Sequence, residues 1–180
     1  MSQPILQTER IRLAPLSAGH LEHLVELSAD PEVMRYLTGV QTREQSADEL
    51  RRTLAYAGRG LGCWAGFVDG AFAGFWSLRP GESPNEAELG YRMLPGFWRK
   101  GLGKEGAGEM LRHGFRDLGL DRVYARTAAG NKASQATMAS IGLRHVRDFV
   151  ADPEHFAPGA DLHAVEYAVG REDWLARNFA

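Results

Sequence analysis

Apolar and polar residues alternate along Glu9-Arg10-Ile11-Arg12-Leu13 with the period of a half-buried strand; helical spacing follows, with Leu21, Leu24 and Val25 behind a Ser17 cap. Asp30-Pro31 sets an N-cap before a proline at the first helical position and predicts a short helix through Leu37. Thr42 and Gln45 have capping-box spacing and open a helix from about Arg43 to Ala57, with Ala47, Leu50, Leu54 and Ala57 on one face. Two apolar runs, Cys63 to Val68 and Ala71 to Leu78, flank Asp69-Gly70, a signal for a tight turn between antiparallel strands. After a polar loop from Arg79 to Asn85, Glu86 to Met93 reads as a strand whose Gly90 predicts a bulge or the close approach of a ligand. A helix from Lys104 to Leu118 carries Ala107, Met110, Leu111 and Phe115 on one side and stops at Gly119. Arg122 to Thr127 is a strand, Asn131 opens a helix that Gly142 closes, and Leu143 to Val150 and Leu162 to Val169 are strand-like. This order predicts an α+β fold with a mostly antiparallel mixed sheet and one strand-helix-strand unit in its middle.

Composition narrows the setting. A chain of 180 residues, 44% hydrophobic and 24% charged, suits one compact domain spanning 1–180. The net charge of -2 argues against a general nucleic-acid surface. No apolar run approaches a membrane span, and the polar start Met1-Ser2-Gln3-Pro4 lacks a signal pattern, so cytoplasmic residence is expected. The single cysteine, Cys63, sits in an apolar strand as core filler; no internal disulfide or multi-cysteine metal site is possible, and no metal is expected.

Candidate chemistry concentrates in Phe97-Trp98-Arg99-Lys100-Gly101-Leu102-Gly103-Lys104-Glu105-Gly106, which joins a strand to a helix through glycines and cations. Glycines let backbone N–H groups approach an anion, and the helix start adds unpaired amides and the positive end of its dipole, the chemistry of a pyrophosphate cradle. Gly101 to Gly106 also fits the dinucleotide pattern G-x-G-x-x-G, with Asp121 downstream. A nicotinamide reading fails on context. Pro95 to Lys100 separates the glycines from the strand, Asp121 precedes its strand instead of ending it, and antiparallel elements fill the upstream region. A triphosphate loop fails for want of a Gly-Lys-Ser/Thr ending.

Trp98-Arg99-Lys100-Gly101-Leu102-Gly103 resembles the acetyl-coenzyme A loop of the GNAT N-acetyltransferase superfamily, and the aromatic-Trp pair before it resembles the RimJ/RimL-type ribosomal-protein N-terminal acetyltransferases. The likeness extends through Thr8 to Leu13, Asp30-Pro31-Glu32-Val33, Glu88-Leu89-Gly90-Tyr91, Asn131-Lys132-Ala133-Ser134 with Ile141-Gly142-Leu143, and Glu166-Tyr167 through Trp174. It implies a GNAT-type sheet of about seven strands, splayed at the coenzyme site, and acetyl-CoA as co-substrate. The implied reaction is direct transfer to a primary amine, a peptide N-terminus or a small molecule, without an acyl-enzyme; a non-catalytic coenzyme A-binding module is the alternative. Monomers and homodimers both fit the resemblance.

By the same resemblance Arg99, Lys100, Gly101, Leu102, Gly103 and Lys104 bind pyrophosphate, Met93 and Leu94 pair their backbone with the pantetheine arm, Asn131 bonds that arm, and Ser134 sits near the sulfur. Amides near Tyr91 to Met93 polarise the thioester carbonyl. Glu88 is the candidate general base, with Glu86 in reserve. The residue seven beyond Asn131, a tyrosine acid in many relatives, is Met138, so the role of acid falls to Ser134 or solvent. Neutralising an α-amine at pH 7 costs about 1.4 kcal/mol and a lysine about 4.6, which favours an acceptor of low pKa. The acceptor is expected between Ser17–Leu37, the turn at Asp69-Gly70 and Asp152–Asp161, with Tyr36 as candidate lining and Trp64, Phe75 and Trp76 either lining or, as the reading to prefer, core packing.

Overall fold

The computed structural model describes residues 2–179. Its strands are β1 (Leu6–Gln7), β2 (Arg12–Pro15), β3 (Gly62–Val68), β4 (Ala71–Pro80), β5 (Glu86–Met93), β6 (Arg122–Ala128), β7 (Arg144–Val150) and β8 (His163–Gly170). The α-helices are α1 (Leu21–Ala29), α2 (Arg43–Tyr56), α3 (Leu102–Arg112), α4 (Lys132–Ser140) and α5 (Arg171–Phe179). The strands form one eight-stranded sheet in the order β1-β2-β3-β4-β5-β6-β8-β7, one more strand than expected. Neighbours are antiparallel except β5 and β6, which α3 joins as the strand-helix-strand crossover.

The extra strand comes from the N-terminal segment. A single strand over Glu9 to Leu13 is replaced by a hairpin, because Thr8 closes a turn: its N–H donates to Ile11 O at 2.9 Å and its Oγ1 accepts from Ile11 N at 2.9 Å. The short helix expected after Asp30 is also absent. Asp30 Oδ1 caps Glu32 N–H at 2.8 Å, but Met34 then bonds four residues back and Leu37 only three, so 31–38 is a run of turns. Thr42 and Gln45 do form the capping box that starts α2, and Asp69 and Gly70, with φ of 49° and 79°, make the tight turn between β3 and β4. Gly90 carries no bulge; it pairs in register with Ser77, whose Oγ lies 2.9 Å from where a Cβ would stand.

Alternation along the strands sorts side chains to two faces. One face carries Trp64, Trp76, Leu78, Leu89 and Val123 against Met110, Leu111 and Phe115 of α3 and its continuation. The opposite face carries Cys63, Ala65 and Phe75 against Leu24, Leu27 and Leu50 of α1 and α2. Trp64, Trp76 and Phe75 are therefore core, not lining for a substrate, and burial pushes the Cys63 thiol up to about 12. Gly106 lacks a side chain for the same packing reason, since a Cβ there would lie 2.4 Å from Trp76 Nε1.

Gly106→Ala gains up to about 1 kcal/mol of helix propensity, but the rigid, fully buried indole makes overpacking the larger effect, roughly 1–3 kcal/mol. A lowered denaturation midpoint is expected; an unchanged or raised one in thermal melts would show that α3 shifts freely over Trp76.

Candidate active site

The sheet has an internal gap. β5 pairs with β6 only from Glu86 to Glu88, opposite Arg122 to Tyr124, whereas β5 continues to Met93 and β6 to Ala128. Glu86 O accepts from Gly81 N–H and Leu94 N–H donates to Ala73 O, both on the β4 side. Backbone direction alternates along a strand, so Leu89, Tyr91 and Met93 turn their peptide groups toward the gap. Met93 O is engaged by Trp98 Nε1 at 2.8 Å, leaving its N–H. Leu94 differs from expectation: its N–H donates to Ala73, its carbonyl accepts from Phe97 N–H, and its side chain joins the α1/α2 core, so it has no free N–H for a ligand in the gap.

At the end of β5 lies the glycine-rich turn. Arg99 and Gly101 are both left-handed, with φ of 58° and 77°, and Gly101 is the N-cap of α3. This alternation curves the backbone into a concave anion nest, and the first-turn amides of Leu102, Gly103 and Lys104 have no carbonyl one turn back to bond. Leu102 and Gly103 are buried while Arg99, Lys100 and Lys104 are exposed, and Gly101 and Lys104 line one groove at the helix start. Lys100 is partly held back, its Nζ donating to Gly96 O at 2.7 Å over the Phe97 ring. A Cβ on Gly103 would point inward at Met93 Cε, 3.1 Å away, and not at an anion in the nest.

Arg10 and Thr8 buttress this turn, a role that sequence patterning did not reveal. Arg10 Nη1 donates to Lys100 O at 2.8 Å and its Nε to Glu105 Oε2 at 2.7 Å, while Thr8 Oγ1 donates to Glu105 Oε1 at 2.6 Å. Burial alone would raise the Glu105 carboxyl, but the bonds from Thr8 and Arg10 hold it below its ordinary range. The only sequence signal was an acid in the first turn of α3, which reads as dipole stabilisation.

The two faces bring different chemistry to the gap. Toward α1 and α2 point Glu86, Glu88 and Arg92; Glu88 pairs with Arg79 at 3.1 Å, and Arg92 pairs with Glu49 of α2. Toward α3 and α4 points Tyr91, whose hydroxyl lies 3.2 Å from both Ser134 Oγ and Ser134 O. Burial pushes the Tyr91 phenol up, so it keeps its proton at neutral pH. Asn131 caps α4: its Oδ1 accepts from Ser134 N–H at 3.3 Å and its Nδ2 donates to Thr127 Oγ1 at 3.0 Å. Met138 is buried in the core.

A roof crosses the gap on the α1/α2 side. Arg92 Nη1 contacts Met34 Sδ at 3.4 Å, Tyr36 lies 3.5 Å from the Cβ position of Gly130, and Ala157 N–H donates to Leu37 O at 2.9 Å. Turn 31–38 and loop 151–162 thus meet over the mouth, with Tyr36 beside it. The turn at Asp69-Gly70 does not join them; it lines a separate groove with Gln7, Glu9 and Arg12. His163 pairs with Asp161. Among the described residues no helix is long and apolar enough to cross a membrane, and no group of three His, Cys, Asp or Glu could hold a metal ion.

Comparison with known proteins agrees with this geometry. The Acetyltransferase (GNAT) domain family matches residues 10–144. The FsC-acetyl coenzyme A-N(2)-transacetylase of Aspergillus fumigatus is 39% identical over 97% of this chain and 79% of its own length, and an uncharacterized N-acetyltransferase of Bacillus subtilis is 27% identical over 78% of this chain and 83% of its own. A GNAT-family acetyltransferase from Bacillus anthracis superposes with a TM-score of 0.82 at 22% identity, covering 94% of this chain and 99% of the other. The ribosomal L7/L12 α-N-protein acetyltransferase RimL, solved with coenzyme A, superposes at 0.78 with 17% identity over 93% and 96% of the two chains. The chain therefore belongs to the GNAT acetyltransferase family and is an acetyl-CoA-dependent N-acetyltransferase.

Proposed function

We propose that this enzyme acetylates a primary amine of low pKa on a small molecule, by direct transfer within a ternary complex. The observation that carries this reading is the division of the gap between β5 and β6: a carboxylate on one face, a hydroxyl pair on the other, and an anion nest at its end. Acetyl-CoA supplies an acetyl group already activated as a thioester. Its pyrophosphate would be held by the amides of Gly101 to Lys104 with Arg99, Lys100 and Lys104, and the groove along Lys104, Gly108, Ser140 and Arg177 has room for more of the molecule. The free peptide edges of Leu89, Tyr91 and Met93, with the Asn131 amide, would complete the gap as an extra strand does.

Glu88 accepts the proton of the amine, directly or through water, from the α1/α2 face, and Glu86, two residues back on that face, is the reserve. The N–H groups of Tyr91 and Met93 stabilise negative charge on the carbonyl oxygen. Ser134, expected as the acid, gains a partner: Tyr91 keeps its proton and donates to Ser134, and this pair hydrogen-bonds the leaving sulfur in place of the missing tyrosine at Met138. Because a thiol of ordinary pKa about 8.5 leaves readily, a weak donor suffices.

Two observations favour a small acceptor over a protein N-terminus. The relative named for transfer to an N(2) position shares 39% identity over 97% of the chain, whereas a putative ribosomal N-acetyltransferase of Bacillus subtilis shares 29% over 72% and RimL shares the fold at 17%. The roof from Met34 to Leu37, bonded to Ala157, rests on Arg92, on the same face of β5 as Glu88, and so covers the acceptor side of the gap. An α-amine also asks least of this site, about 1.4 kcal/mol against 4.6 for a lysine.

Thiol release from acetyl-CoA over a panel of α-amines, lysine derivatives, dipeptides and longer peptides tests the reading; turnover restricted to the N-termini of long peptides and proteins would overturn the small-acceptor part, and none with any amine would overturn it all. Glu88→Gln is expected to cut kcat by about 10²-fold while calorimetric affinity for coenzyme A stays within about twofold; unchanged kcat would leave Glu88 as only the partner of Arg79. Tyr91→Phe and Ser134→Ala should each cost about tenfold in kcat, and the double variant little more, as for residues acting as one unit. Arg10→Ala should weaken coenzyme A by roughly fivefold with a melting temperature nearly unchanged, since a half-exposed ion pair contributes little stability; equal losses of both would make it a purely structural contact.

A further inference from the structure

On the α1/α2 face, the sheet is apolar only as far as those helices reach. Beyond β5 the same face of β6, β8 and β7 carries Tyr124, Arg126, Glu166, Arg147 and Phe149, as the pairings of Tyr124 with Ala168, Arg126 and Arg147 with Glu166, and Phe149 with Ala164 require. Glu166 is only 4% exposed, yet it is charged and fully used. Its Oε2 accepts from Arg126 Nε at 2.9 Å and Arg147 Nη2 at 3.0 Å, and its Oε1 from Arg122 Nη2 at 2.9 Å. Burial alone would raise this carboxyl; the three guanidiniums hold it below its usual range.

The arginines are fixed in orientation as well as in charge. Arg126 stacks 4.8 Å from the Tyr124 ring centroid and 5.6 Å from that of Phe149, and Arg147 stacks 4.9 Å from Phe149 on its other neighbour. Their remaining acid contacts are thin. Arg122 has Glu86 at 3.6 Å, Arg126 has Glu82 at 2.6 Å, and Arg147, half exposed, has Glu166 alone among the described residues. Glu82 stands on the β4–β5 loop with 68% of its side chain exposed, so its pair with Arg126 is easily exchanged.

Position ties this cluster to the reaction. Tyr124 lies beside Glu88 in the sheet, and Arg126 is two residues further along β6, past the point where β5 and β6 part, roughly 7 Å on at strand rise. We propose that Arg126 and Arg147, held by Glu166 and stacked on Tyr124 and Phe149, form a subsite for a carboxylate or like anionic group of the acceptor, which enters by displacing Glu82. Paired guanidiniums with free edges suit such a group because their planar forks match it bidentately. The acceptor then carries its anion several bonds from the amine, not on the adjacent carbon. This inference rests on the assignment of Glu88 as the place where the amine binds.

Two probes separate the subsite from the reaction. In the presence of coenzyme A, calorimetry should find N-acetyldiglycine binding at least tenfold tighter than N-acetyldiglycinamide, and thiol release should show the same ratio in KM for diglycine against diglycinamide. Arg147→Gln should bring the binding ratio to within about twofold, with partial recovery in Arg147→Lys, while Glu82→Gln, which removes the competing carboxylate, should tighten N-acetyldiglycine severalfold. The opposite signs at 147 and 82 exclude a merely structural network. Equal binding of acid and amide, or no change of their ratio in either variant, overturns the subsite even if both amines are acetylated. A preserved binding ratio without turnover of any amine would instead keep the subsite and overturn the proposed reaction.

Discussion

A strand edge in the middle of a sheet is an unstable feature unless something satisfies it, because every unpaired N–H and C=O there faces the cost of burial without a partner. β5 and β6 create such an edge after Glu88 and Tyr124, and the rest of the site is arranged around it. Trp98 takes the carbonyl of Met93 at one end, and Tyr91 reaches Ser134 across the gap. What is left is a row of peptide groups suited to a chain-like ligand, which lies beside the start of α3 because that helix is the crossover between the parted strands.

The crossover sets the distances. α3 sits close to the sheet because Gly106 meets the Trp76 indole, and Trp76 Nε1 donates to Gly103 O at 3.4 Å. Its start is then clamped from the other side by Arg10 on Lys100 O and Glu105. Two of the glycines that resemble a nucleotide fingerprint therefore serve packing, Gly103 against Met93 and Gly106 against Trp76. Only Gly101, with its positive φ, is required by the shape of the turn itself.

In the proposed reaction the sheet also separates the partners. Groups suited to the coenzyme end lie on the α3/α4 face, while carboxylates and arginines lie on the face that α1 and α2 cover only partly. At its uncovered end that face is filled by a charged network around buried Glu166. A buried ion cluster is a poor source of stability because desolvation offsets its attraction, and its position next to the gap gives it another use.

Local order was legible from the sequence because it depends on residues near one another in the chain. The capping box of α2, the turn at Asp69-Gly70 and the Asn131 cap of α4 are all set by neighbours within a few positions, and α3 begins at Leu102, two residues before the expected Lys104, because Gly101 is its N-cap. So was the glycine-rich turn proposed to hold the coenzyme, whose glycines and cations are contiguous. The hairpin at Thr8 and the turns after Asp30 were not, since a side chain closing a turn and a change of hydrogen-bond step override apolar spacing. Nor were the Arg10 buttress on Glu105, the Tyr91 to Ser134 contact, or the clustering of Arg126, Arg147 and Glu82 around Glu166. Sequence alone determined the family-like order of elements and the anion nest, since both are written in local propensity. Tertiary structure decided which hydroxyl meets which, where the gap opens and which charges surround it, because those depend on strands and loops distant in the chain reaching the same few ångströms.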